Sequence, residues 1–85
     1  YVYYLEGLWW EKNHEYRRAM SLFGDALRLQ TKDRFMLALG RTCEEVGMHQ
    51  CALRNYRQLM GKPRYRYLQE KVKFLLARPK RTPSP

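Results

Sequence analysis

The chain has 85 residues, of which 45% are apolar and twelve are aromatic, so it offers material for one small domain and is too apolar to be read as a disordered segment. Its net charge of +9 is unevenly placed: residues 62 to 85 hold eight basic side chains against the single acid Glu70, a net +7, while the first 61 residues hold a net +2. No apolar run approaches the roughly eighteen residues of a membrane span and no signal-peptide pattern opens the chain, from which we expect a soluble protein of cytoplasmic or nuclear location.

Val2 to Lys12 is predicted as the first helix. Tyr3, Gly7 and Trp10 share one stripe of it, assigned to the core, and Tyr1, Tyr4 and Leu8 share another. Asn13-His14 makes a turn into a second helix from Glu15 to Leu29, where Ala19, Leu22, Phe23, Ala26 and Leu27 recur at steps of three and four. A third helix is expected from Lys32 to Val46, with Asp33 suited to the positive end of its dipole and Gly47 as a left-handed C-cap. The fourth, Gln50 to Met60, carries Ala52, Leu53, Tyr56 and Leu59 on one stripe and stops at Gly61-Lys62-Pro63. A fifth, Arg64 to Ala77, aligns Tyr65, Leu68, Val72, Leu75 and Leu76 on an otherwise cationic helix. Residues 78 to 85 contain three prolines and are expected to be a disordered tail.

Sliding the sequence by 33 places pairs Gly7 with Gly40, Glu11 with Glu44, Ala19 with Ala52, Phe23 with Tyr56 and Ala26 with Leu59. Small residues at Gly7, Ala19, Gly40 and Ala52 allow two antiparallel helices to cross closely, with aromatics filling the space beside the crossing. A single hairpin leaves an apolar side uncovered, so stacking closes the core. The predicted fold is therefore all-α: antiparallel hairpins at 1–31 and 32–63 stacked as an α-solenoid fragment, and a capping helix at 64–77, five helices in all.

The strings YLEGLWW and YRRAMSLFGDAL, followed by MLALGRTCEEVG and ALRNYRQLM, resemble two tetratricopeptide repeats across residues 1 to 63. Cys43 and Leu59 depart from that pattern, as does the lack of a proline near Thr31. The resemblance implies a non-catalytic protein-interaction scaffold or adaptor whose first helices line a concave groove, here Tyr1, Tyr4 and Leu8 with Arg34, Leu37 and Arg41. Such a groove suits an extended peptide carrying apolar and acidic residues. The carboxylate clamp that one subgroup of the family uses on chaperone tails is not carried over, since its places hold Tyr4, Leu8 and Ala38. Alternatively Tyr1, Tyr4 and Leu8 pack on a preceding repeat, or the chain self-associates, as the structural end segment of a longer helical-repeat subunit. Opening at Tyr1 inside a helical pattern, without Met, is what an excerpt would do.

A second class of function places nucleic acid or another polyanion on a basic patch of Lys62, Arg64, Arg66, Lys71, Lys73, Lys80 and Arg81. Lys80 and Arg81 also read as a targeting signal, with Thr82-Pro83 and Ser84-Pro85 as phosphorylation sites, or as a plain solvated linker. Cys43 and Cys51 are expected as thiols of a reducing compartment filling small core positions. Cys43, His49 and Cys51 lack a near fourth ligand for zinc, and neither a nucleophile with its base nor a phosphate loop is evident. No metal, cofactor or catalytic residue is predicted.

Overall fold

The architecture is that of a computed structural model, which describes residues 1 to 77. The tail, with Lys80, Arg81 and both Ser/Thr-Pro steps, lies outside the described residues. Within them the chain is all helical: α1 (Val2–Lys12), α2 (Tyr16–Leu29), α3 (Asp33–Glu45), α4 (His49–Met60), a 3-10 turn (Pro63–Tyr65) and α5 (Leu68–Ala77). Each helix packs on the next, α1 on α2, α2 on α3, α3 on α4 and α4 on α5, as a serial stack of hairpins requires. None of these helices is long and apolar enough to cross a membrane.

The glycines set the crossing distance in both hairpins. A Cβ on Gly7 would stand 2.5 Å from the ring of Phe23, and one on Gly40 would stand 2.7 Å from the ring of Tyr56. Real carbons do not approach so closely, so only hydrogen fits at either position. The first core is built from Ala19, Phe23 and Ala38, flanked by Tyr4, Leu8 and Trp10. A second and larger core joins Cys43, Ala52, Leu53, Tyr56 and Leu59 to Tyr65, Leu68, Val72 and Leu75.

The turns inside the hairpins repeat in the same register. Gly47 has φ +82°, and the residue 33 places earlier, His14, has φ 62°. The amide after each left-handed residue bonds back to the helix it leaves, Glu15 N–H to the Trp10 carbonyl at 2.9 Å and Met48 N–H to the Cys43 carbonyl at 2.8 Å. These bonds satisfy carbonyls that the helix end would otherwise leave unpaired. Asn13 adds a side-chain cap by donating Nδ2–H to the Trp9 carbonyl at 2.8 Å.

Three expectations about the helices and their inner faces differ from what is found. The fifth helix does not start at Arg64: Pro63 opens a 3-10 turn through Tyr65, and α5 begins at Leu68. Tyr65 and Leu68 are both buried, and a spacing of three suits either helix type, so the side-chain pattern could not locate the break. Leu76 is exposed beside buried Leu75, which takes the last core contact of that helix. Tyr3 is 40% exposed, because Tyr4 occupies the inner position, its ring 5.8 Å from Phe23 and 4.8 Å from Phe35.

The cysteines also differ from expectation. Cys43 and Cys51 are joined by a disulfide, their Cα atoms 5.9 Å apart. They lie on different helices, as predicted, but close to the same tight turn, which brings them together. The inference from free thiols to a reducing compartment therefore lapses.

Candidate functional site

The surface along α1 and α3 gathers the six residues assigned to the groove. Tyr1 and Arg34 are exposed, and the Arg34 guanidinium donates to the Tyr1 hydroxyl at 3.5 Å, a long and weak contact. Tyr1 also sits 5.8 Å from Tyr4 and 6.3 Å from Phe35, ring to ring. Tyr4, Leu8 and Leu37 are half-buried: the first two lean on the first core and Leu37 on the second. They present edges to solvent rather than whole side chains. Phe35, fully buried under Tyr4, was not singled out from sequence, because the residues three and seven places on, Ala38 and Thr42, are small or polar and leave its stripe with little apolar signal.

Arg41 is already engaged. Its Nε and Nη2 donate to the two carboxylate oxygens of Glu11 at 2.5 and 2.7 Å, a fork-to-fork pair between α1 and α3. The Glu11 hydrogen bonds hold the Arg41 proton more tightly than usual, outweighing partial burial, which works the other way. Glu44, the counterpart of Glu11, is treated alike: it accepts from the Tyr56 hydroxyl at 2.9 Å and from Lys71 Nζ at 3.2 Å. Each first helix thus ties an acid to a cation on the first helix of the following unit. The matched glutamates were visible in the 33-residue alignment, but their partners came from positions that do not align.

The basic patch is less free than its composition implies. Lys62 Nζ donates to both oxygens of Asp33 at 2.8 and 2.9 Å, and Lys73 lies 3.7 Å from Glu70. Lys71 is held by Glu44 and stands 5.9 Å above the Tyr56 ring. Arg64 and Arg66 are exposed and have no acidic partner among the described residues. Lys80 and Arg81 lie outside the described residues.

A feature not anticipated from sequence is that each hairpin carries its own clamp at matching positions. The pair Trp10 and Arg18 corresponds by the 33-residue shift to Cys43 and Cys51. Arg18 places its guanidinium carbon 4.6 Å above the Trp10 ring, so the first hairpin is clamped by a cation–π contact where the second is clamped by the disulfide. A shallow depression of about 350 Å³ lies elsewhere, along Gln50, Leu53, Arg54, Arg57 and Gln58 of α4 alone, and is too open and too polar to enclose a ligand. No model of a known protein family matches the chain, and neither a curated protein nor a solved structure matches it.

Proposed function

We propose that the chain is a non-catalytic, tetratricopeptide-like interaction scaffold that binds an extended peptide of apolar and acidic residues along α1 and α3. The observation that carries this reading is the accessibility of the whole face: none of Tyr1, Tyr4, Leu8, Arg34, Leu37 and Arg41 is buried, although several help build the cores beneath. The family likeness is supported by recurrence at one register of the glycine crossing, the left-handed turn and the clamp between paired helices.

The two guanidinium groups have different roles in this reading. Arg34 is the anchor for a peptide carboxylate, since its contact with Tyr1 is long and easily surrendered. Arg41 holds the floor through Glu11, and a peptide acid would have to displace that carboxylate. Apolar peptide side chains would rest on the exposed edges of Tyr1, Tyr4 and Leu8.

Within the predicted basic patch, the polyanion alternative rests on fewer unpaired charges than the composition suggests, Arg64 and Arg66 among the described residues. Fewer phosphate contacts mean a shallower salt dependence.

Selection of a random peptide display library on the immobilised chain tests the reading. Enriched sequences should pair an acidic residue with apolar ones, and Arg34→Glu should abolish their binding while leaving the thermal transition in place. Arg41→Glu is unsuitable for this purpose, because it would set a second carboxylate against Glu11. Enrichment of basic sequences, or undiminished binding by Arg34→Glu, would refute the assignment.

A further inference from the structure

One face of α1 is apolar and open. Val2, Leu5 and Trp9 are spaced by three and four, which puts them on one stripe opposite Gly7, and they are 70%, 50% and 58% exposed. The 33-residue register supplies their counterparts on α3: Phe35, Ala38 and Thr42. All three of those are fully buried. The first hairpin covers that face of α3, with Ala38 packed among Ala19 and Phe23 of α2, and Phe35 meeting the rings of Tyr1 and Tyr4.

We infer that Val2, Leu5 and Trp9 form a docking seat for another helical hairpin, one whose second helix carries a stripe of small and aromatic residues like Ala19, Phe23 and Ala26 of α2. The interface would continue the α2–α3 packing one unit further. A second copy of the chain does not supply this hairpin. Among the described residues the stripe of α2 is covered by α3 and that of α4 by α5, and the outer side of α4 presents Gln50, Arg54, Arg57 and Gln58. The seat lies beside the Tyr1–Arg34 face and does not include it, so the two surfaces can be tested separately.

The test adds a copy of residues 1–33 directly before Tyr1 of the full chain, which sets its α2 segment at the natural register from the original α1. Trp10 and both tryptophans of the added copy are replaced by Phe, leaving Trp9 as the reporter, and circular dichroism checks that each protein is folded. The expected result is a blue shift of Trp9 emission and a severalfold loss of acrylamide quenching relative to the unextended chain. Leu5→Asp, made in the original α1 alone, should return both to the unextended values. Because Leu5 is half exposed, the same change leaves the unextended chain folded, which separates loss of docking from loss of structure. Trp9 emission unchanged by a folded added hairpin would overturn the proposal. So would Trp9 burial in the unextended chain that grows with concentration in parallel with dimer formation by sedimentation, since a second copy would then be the occupant.

Discussion

The ring of Phe23 occupies the space that a side chain on Gly7 would need, with its nearest carbon 2.5 Å from where a Cβ would stand. Tyr56 stands in the same relation to Gly40, at 2.7 Å. Both rings are almost wholly buried, so a shift of either must displace packed neighbours. Gly7→Ala and Gly40→Ala should therefore each be destabilising, because overpacking of about 1–3 kcal/mol exceeds the helix-propensity gain of about 0.5–1 kcal/mol. Gly24, inside α2, has nothing within 4 Å of its would-be Cβ, so Gly24→Ala should add about 0.5–1 kcal/mol by helix propensity. Urea denaturation of the three variants measures both signs, and a neutral Gly7→Ala would contradict the close crossing.

The disulfide between Cys43 and Cys51 closes a short loop across the second hairpin. Chain-entropy reasoning puts the stabilisation from so short a loop at about 2–3 kcal/mol. Reductant should lower the thermal midpoint of the chain, and Cys51→Ser should remove that sensitivity. Arg18→Ala, which deletes the matching clamp over Trp10, should cost less, about 0.5–1 kcal/mol, because Arg18 is largely exposed. A midpoint indifferent to reductant would show that the two sulfurs are not bonded in solution.

His14 holds the left-handed conformation that Gly47 holds in the other hairpin. Glycine adopts it without steric cost, and the His14 bond to the Tyr16 hydroxyl is exposed and of small value. His14→Gly should raise stability by a few tenths to about 1 kcal/mol, the relief of strain at the turn outweighing the freedom that the unfolded chain gains. Thermal unfolding of that single variant measures the balance, and a clear loss of stability would mean the turn is not left-handed at His14.

Tyr56 links stability to alkaline pH. Burial raises its pKa well above the ordinary 10.0, with the hydrogen bond to Glu44 acting in the same direction. Because the folded state keeps the phenol proton more tightly than the unfolded state, this contribution is complete below about pH 10 and is lost as pH rises further. Tyr56→Phe should flatten the decline of stability above pH 10 while costing about 1–2 kcal/mol at neutral pH for the lost bond to a carboxylate. Denaturation midpoints measured from about pH 7 to 11 for both proteins decide it, and parallel curves would exclude Tyr56 as the source.

Much of the fold was legible because it is written twice. The recurrence of Gly7 at Gly40 and of Phe23 at Tyr56 located the crossings, and apolar spacing located four helices to within one residue at each end. The start of α5 was not legible, since Tyr65 and Leu68 keep a spacing that a 3-10 turn also satisfies. Nor was the pairing of Cys43 with Cys51, which depends on how tightly the turn at Gly47 closes. At the candidate site, sequence placed Arg34 and Arg41 on one face but could not show that Glu11 occupies only the second. That distinction requires knowing how α1 and α3 are offset, which no local pattern records. The open stripe at Val2, Leu5 and Trp9 was not legible either, since only the structure shows that its counterparts Phe35, Ala38 and Thr42 are buried.

Peptide binding on the α1–α3 face, as proposed, is decided by backbone amide chemical-shift mapping of the full chain. On titration with a peptide enriched by the display selection, shifts should centre on Tyr1, Tyr4, Leu8, Arg34 and Leu37 and be abolished by Arg34→Glu. Shifts centred instead on Arg64 and Arg66, or on the α4 depression at Arg54 and Arg57, would rule out this face as the peptide site.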